Sequence, residues 1–120
     1  MRTINFSLNW NNKLDNQVFT TIRSTFIPVQ PGTSLMINLK GKLYCWAKVK
    51  ECIKCKFSDI NPLIIWLDTG YEPEQAFELF KTMGLDYSNK EQECMLLILE
   101  RTVKPLDDQI RDVLTMKFPS

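Results

Sequence analysis

The chain has 120 residues, 44% of them hydrophobic and 24% charged, which is typical of a single globular domain with a core of its own. Fifteen basic and fourteen acidic residues give a net charge of +1, which excludes a polycation that holds nucleic acid through its overall charge. Histidine is absent, so catalytic pairs and metal sites that depend on imidazole are excluded too.

Two strands and a short helix are predicted in the first part of the chain. Alternating apolar and polar residues over positions 3–10 predict a strand. Residues 11–12, both asparagine, predict the cap of a short helix whose inner side carries Leu14 and Val18. A β-branched stretch then predicts a second strand that ends at Arg23.

A hairpin is predicted next, with strands over residues 34–39 and 43–57 joined by a tight turn. In the long strand the odd positions are apolar except for Glu51, which predicts a core face. The even positions carry two aromatic residues and then lysines, a pattern typical of a platform that stacks a flat group and holds a negative charge. A solvated outer face of an antiparallel sheet would have the same pattern. These even positions include Tyr44, Trp46, Lys48, Lys50 and Lys54.

Helices and one central strand are predicted in the second half. Pro62 opens a short helical turn, and the segment from Pro73 to Gly84 predicts a helix. The almost continuously apolar residues 94–99 predict a strand covered on both faces. A last helix over residues 105–117 has an apolar stripe that must pack on the sheet or on a partner. The sum is one α+β domain over residues 1–120, with about five mostly antiparallel strands and three or four helices around a small β-barrel.

No window has the length and composition of a signal peptide or a membrane span, so the expected location is the cytoplasm with no membrane partner. The four cysteines lie in strand-like apolar segments, where reduced thiols are small hydrophobes. Cys52 and Cys55 have the spacing of a zinc or redox pair, but in an extended strand they would point to opposite faces. We therefore expect no metal and no cofactor.

Three short segments, in this order, resemble ASCH domains of the PUA-like superfamily, which are small RNA-associated β-barrels. Residues 17–23 are similar to the lysine-threonine-threonine-isoleucine-arginine stretch of that family. Residues 31–33 and the two strands after them resemble its proline-glycine-aspartate turn and hairpin. Residues 67–72, followed by a helix with Phe77, are similar to its aspartate-glycine-phenylalanine loop with one residue inserted. The resemblance covers about residues 4–103.

The resemblance implies a pseudo-barrel with a cleft between the first helix, the threonine-arginine strand and the loop near Asp68, where family members bind RNA or modified nucleosides. Some members resemble an amidohydrolase that removes an acyl group from N4-acetylcytidine. The threonine of that enzyme falls on Thr21, but its lysine falls on Val18, which can neither donate a proton nor attack. This departure argues against acyl removal unless Lys13 or another amine reaches the cleft. The catalytic glutamate has no assigned position, although Glu72 and Glu74 are in the region.

The candidate ligand residues differ in how well the pattern supports them. The guanidinium of Arg23 suits a phosphate or a base edge, although an ion pair with Asp68 or Glu51 is the alternative. Thr20 and Thr21 point to opposite sides of a strand, so we expect only Thr21 to face the cleft. Asp68 either faces the ligand or caps its turn. The predicted pocket residues are Thr21, Arg23, Asp68 and Tyr71, with Trp46, Lys48 and Lys50 as an accessory surface.

Three functions remain open at this point. The first is a non-enzymatic module that binds RNA or a nucleotide. The second is an amidohydrolase that acts on N4-acylated cytidine-type nucleosides. The third is a regulatory protein that associates with itself or a partner through the apolar stripe of the last helix.

Overall fold

The structure is a computed structural model that describes residues 2–103. The predicted helix over residues 105–117, and with it the predicted self-association surface, lies outside the described residues. The described chain forms one five-stranded mixed sheet with two α-helices, α1 (Pro62–Thr69) and α2 (Pro73–Thr82). The strands are β1 (Arg2–Phe6), β2 (Val18–Arg23), β3 (Ser34–Leu39), β4 (Lys42–Lys56) and β5 (Glu93–Thr102). Short 3-10 segments cover Trp10–Asp15 and Phe57–Asp59.

The strand order in the sheet is β1-β3-β4-β5-β2. β1 pairs with β3 in parallel, and the other three ladders are antiparallel, so the prediction of an α+β fold with mostly antiparallel strands is confirmed. The predicted hairpin is the β3–β4 ladder. Its turn at Lys40 and Gly41 has positive φ angles of 53° and 80°, which match the right-handed twist of the strands.

The long strand β4 has a break in its alternation. Ala47 and Val49 point into the core as predicted, but the β4–β5 register shifts between Val49 and Glu51. A bulge of this kind inserts a residue and reverses which side chains face inward. Ile53, predicted on the core face, is therefore 41% exposed, and Leu43 at the start of the strand is 50% exposed. The single core row predicted for residues 43–57 is wrong at these two positions, whereas Phe57 is fully buried as predicted.

β5 is covered on both faces, as its apolar sequence predicted. Leu97 and Leu99 join the first core cluster, which contains residues of all five strands. Leu96 and Cys94 join the second cluster, where α1 and α2 pack on the sheet through Ile65 and Phe80. β5 thus joins the two halves of the core.

The sheet is open between β1 and β2, its two edge strands, so a barrel closed by backbone hydrogen bonds is not formed in the described part of the chain. Side chains cross this gap instead. Both terminal nitrogens of Arg23 on β2 lie 3.2 Å from the backbone oxygen of Asn5 on β1 and donate to it. We call the gap between these two strands the seam.

The remaining differences from the sequence prediction lie near the N-terminal strand. β1 ends at Phe6, so Trp10 belongs to the 3-10 segment and not to a strand. Val18, predicted on the inner side of a short helix, is the first residue of β2 and is 49% exposed. Leu14 is fully buried as predicted. Among residues 2–103, no helix has the length and apolar character needed to cross a bilayer.

Candidate functional site

A cavity of about 160 Å³ opens at the seam. Its wall takes residues from both edge strands, from the first 3-10 segment and from both α-helices. The wall contains both apolar rings and charged groups, which is the composition of a pocket that orients a small polar ligand. The lining residues include Phe6, Trp10, Lys13, Thr21, Arg23 and Asp68.

A buried ion pair between Lys13 and Asp68 lies in the wall of the cavity. Lys13 Nζ donates to Asp68 Oδ1 at 2.8 Å, and each side chain is only 5% exposed. The hydroxyl of Thr20 donates to the same oxygen at 2.7 Å. Burial lowers the pKa of Lys13, and the neighbouring Asp68 carboxylate opposes this shift. Hydrogen bonds therefore hold the Lys13–Asp68 pair in an environment with little access to water.

A tight turn aims Lys13 into the protein. Asn11 and Asn12 both adopt left-handed backbone angles, with φ of 54° and 52°, a conformation that asparagine tolerates better than most residues. The amide of Asn11 donates to the backbone oxygen of Leu67 at 3.1 Å, which fastens the turn to α1. Gly70, which ends α1 at φ 78°, lies so close that an added Cβ would be 3.0 Å from Asn11. The turn and the end of α1 therefore position Lys13 against Asp68.

Arg23 fixes the other side of the cavity. Its Nε donates to Thr21 Oγ1 at 2.9 Å, and its guanidinium carbon lies 4.6 Å from the centre of the Phe6 ring. Burial lowers the pKa of Arg23, again opposed by Asp68. Within residues 2–103, Arg23 forms an ion pair with neither Asp68 nor Glu51, the two partners considered from the sequence. The guanidinium instead spans the seam.

The structure brings together most of the predicted pocket residues. Thr21, Arg23 and Asp68 line the cavity. Tyr71 stands beside it and packs edge-on against Trp10, with ring centres 6.1 Å apart. Of the two threonines, Thr21 lines the cavity and Thr20 does not; Thr20 donates to the carboxylate of Asp68 from the other side of β2.

The predicted accessory residues lie elsewhere. Trp46, Lys48 and Lys50 lie on the central strand β4 and are not part of the cavity wall. Lys48 is exposed opposite Glu100 in the β4–β5 ladder, and Lys50 Nζ is 4.0 Å from the carboxylate of the same glutamate. One strand separates β4 from each edge strand of the seam, and none of these lysines lines the cavity, so the lysines and the cavity form different surfaces.

The sequence analysis considered Lys13 only as an amine that would have to reach the cleft for acyl removal. It did not identify Thr20 as a partner of Asp68. Lys13 belongs to no periodic pattern that would have revealed its role, and Thr20 lies on the regular strand β2 but on the side opposite to Thr21. The one local indication for Lys13 is its position between two asparagines and the buried Leu14, since a turn there fixes the direction of the next side chain. Val18, where the family lysine would fall, is outside the cavity wall.

The chemistry of the cavity follows from its groups. Two cations and one carboxylate leave a net positive charge, and each cation keeps N–H groups beyond those in the hydrogen bonds described above. Such a wall can bind an anion or the edge of a heterocycle, and Lys13 can exchange a proton. In the described chain, no group of three or more cysteine, aspartate or glutamate residues could hold a metal ion.

No protein-family model matches the chain, and no curated protein or solved structure matches it either.

Proposed function

We propose that the protein is a PUA-like module of the ASCH type that binds a nucleotide, free or within RNA, with its base in the seam cavity. The observation that carries this proposal is the cavity wall itself, in which Lys13, Arg23 and Asp68 surround a space flanked by the rings of Phe6 and Trp10. A heterocyclic base presents the complementary features, namely a flat face and an edge of donors and acceptors.

Size supports a ligand group of ring dimensions. The cavity of about 160 Å³ corresponds to several water molecules, each of which occupies about 30 Å³ in the liquid. A single base can therefore enter, while its sugar and phosphate remain at the opening. The positive balance of the wall favours a phosphate at that position.

The hydrogen-bonding groups support a base rather than an apolar ring. Lys13 and Arg23 offer donors to ring nitrogens and carbonyl oxygens. Both donors to Asp68 use its Oδ1, which leaves Oδ2 able to accept from an exocyclic amino group. An apolar ligand would leave the remaining N–H groups of Lys13 and Arg23 and the Oδ2 of Asp68 without hydrogen-bond partners, at a cost of about 1–3 kcal/mol for each buried group.

Calorimetric titration with nucleosides, 5′-nucleotides and single-stranded RNA tests the proposal. Thr21→Val keeps the shape of the side chain and removes the acceptor of Arg23 Nε, so we expect binding to weaken about tenfold, equivalent to about 1.4 kcal/mol. For nucleosides and 5′-nucleotides, Lys48→Met is the control, because it removes a charge outside the cavity. No heat of binding with any of these ligands, or equal losses in both variants, would contradict the proposal.

Substitution of the β4 lysines tests whether the ligand is RNA or a free nucleotide. In our proposal Lys48 and Lys50, with Trp46, form an accessory surface that contacts RNA beyond the bound nucleotide. Neutralising both lysines with glutamine should then lower the salt dependence of RNA affinity by about 0.7 per lost phosphate contact. Nucleotide affinity should stay unchanged. An unchanged salt dependence with RNA would remove these lysines from the binding surface.

A second candidate function, amidohydrolysis of an N4-acylated cytidine, is favoured by the amine of Lys13. The family lysine is replaced by Val18, but Lys13 supplies an amine to the same cavity from the preceding turn. Hydrolysis adds water across the amide bond and releases a carboxylic acid and the free base amine. Lys13 would exchange the proton, with Asp68 and Thr20 holding it in place.

Incubation of the protein with N4-acetylcytidine, with cytidine detected by chromatography, decides this second function. We expect turnover in the wild type and in Lys48→Met, and a loss of at least a hundredfold in Lys13→Arg, which keeps the charge but moves the nitrogen. Absence of turnover in the wild type would eliminate the enzyme and leave the binding proposal standing.

A further inference from the structure

The β4–β5 ladder holds two thiols directly opposite each other, and neither lines the seam cavity. Cys55 and Cys94 are register partners, and their sulfur atoms are 3.8 Å apart. Cys94 is fully buried, while Cys55 is partly exposed at the edge of the second core cluster. The other two cysteines, Cys45 and Cys52, belong to the first cluster on the opposite face of the sheet.

We propose that Cys55 and Cys94 are an oxidative modification site, at which a hydroperoxide converts the two thiols into a reversible cross-strand disulfide. Opposite residues of an antiparallel pair have Cα atoms about 4.5–5.5 Å apart, within the range of about 4.4–6.8 Å that disulfides span. Closing the sulfur separation to about 2.05 Å therefore needs side-chain rotation and no rearrangement of the strands.

The reaction has two steps with assigned roles. The sulfur of Cys55, which solvent reaches, attacks the hydroperoxide and breaks its O–O bond, so that Cys55 becomes a sulfenic acid and an alcohol is released. The sulfur of Cys94 then attacks the Cys55 sulfur and displaces the hydroxyl, which leaves as water with the Cys94 proton. The two thiols lose two electrons and two protons, and the hydroperoxide becomes alcohol and water.

Burial explains why Cys94 is the second thiol and not the first. Desolvation raises the pKa of Cys94 to about 12, and the neighbouring Cys55 adds to the shift, so Cys94 keeps its proton against free oxidants. It reacts only when a sulfenic acid forms beside it. Cys94 is thus protected from overoxidation, and it in turn protects Cys55 by forming the disulfide.

The disulfide would tie β4 to β5 at the end of the sheet where the helices pack. Next to it, the Phe57 backbone N–H donates to the oxygen of Gln92 at 2.7 Å, so the two strands are already held together there. The cross-link closes a long loop that contains α1 and α2, which restricts the unfolded chain. We expect the oxidised protein to unfold at a higher temperature and to keep its seam cavity.

Peroxide treatment of the purified protein, followed by thiol counting and peptide mass mapping, tests the proposal. We expect the four thiols to fall to two, with the lost pair mapped to Cys55 and Cys94, and full recovery after a thiol reductant. The midpoint of thermal unfolding should rise on oxidation and return on reduction. Cys52→Ser is the matched control, because Cys52 is on the same strand but faces the other cluster, and it should behave as the wild type.

Three outcomes would overturn the proposal. The first is four free thiols after a peroxide dose that forms a sulfenic acid in Cys94→Ser. The second is a disulfide that maps to another pair or joins two chains. The third is irreversible oxidation of Cys55 in the wild type at the same rate as in Cys94→Ser, because a working partner thiol must intercept the sulfenic acid.

Discussion

The seam and the β4–β5 ladder are the two ways in which strands of this sheet meet. In the ladder, ten register pairs join the strands through backbone hydrogen bonds, and apolar side chains cover β5 on both faces. At the seam no ladder joins β1 to β2, and the guanidinium of Arg23 reaches across to Asn5 instead. The cavity exists because side chains, and not a backbone ladder, bridge the gap between β1 and β2.

The two regions should respond differently to mutation. Polar groups at the seam depend on one another, because removing one leaves another buried and unpaired. Exposed charges along the ladder are solvated and nearly independent.

The largest effect should come from Asp68→Ala. The substitution leaves the buried Lys13 ammonium without its counter-ion, so we expect the free energy of unfolding to fall by about 4 kcal/mol in denaturant titrations. Glu100→Ala removes the partner of an exposed pair with Lys50 and should cost less than about 1 kcal/mol. Equal losses of unfolding free energy in the two variants would show that the Lys13–Asp68 pair contributes no more than the exposed Lys50–Glu100 pair.

Gly70→Ala should have the next largest effect, about 2 kcal/mol. A residue with a Cβ is strained at φ 78°, and its new carbon would lie 3.0 Å from Asn11. Gly41→Ala is the matched control, because its φ of 80° gives the same strain with no atom within 4 Å. The excess loss in Gly70→Ala therefore measures the contact with the Asn11 turn. If both variants lose the same stability, the packing of Gly70 against the Asn11 turn does not help to position Lys13.

Alkaline pH should weaken the ladder through Cys94. Its pKa is raised to about 12 in the folded protein, so it stays protonated while the unfolded thiol ionises above about 9. Its contribution to stability is therefore complete below pH 9 and is lost as the pH rises towards 12. Denaturant titrations across this interval should show a shallower decline for Cys94→Ala than for Cys52→Ala. Parallel curves would exclude Cys94 as the cause.

The smallest effect should come from Val18→Lys, which restores the lysine of the resembling family. Val18 is half exposed at the start of β2, so the free energy of unfolding should change by no more than about 0.5 kcal/mol. Because this position is outside the cavity, the ligand affinity and any turnover of N4-acetylcytidine should not change. A gain in turnover would mean that the amine needed for hydrolysis belongs at residue 18 and not at Lys13.

The sequence predicted the ladders of the sheet better than it predicted the seam. The hairpin and the covered strand β5 were predictable, because periodicity and turn residues specify ladders directly. The bulge after Val49 was not, since one inserted residue reverses the alternation without changing composition. Lys13 was not assigned to the cavity either, because it lies in an irregular turn where no period applies.

The candidate site was predicted in part for a physical reason. Thr21 and Arg23 lie on a regular strand, so their shared face could be deduced from spacing. Their meeting with Asp68 depends on how α1 docks against the first turn, which is a tertiary event. The open edge of the sheet likewise could not be deduced, because strand counts do not specify whether the two outer strands pair.

The strand order has a consequence for protein synthesis. β2 carries Thr21 and Arg23, but within residues 2–103 its only ladder is with β5, the last described strand to leave the ribosome. Until β5 emerges, β2 has no neighbour in the sheet, and the wall it contributes is not fixed. If the proposed ligand binds at the seam, binding therefore requires that translation has passed β5, and a nascent chain cut before Glu93 should not bind.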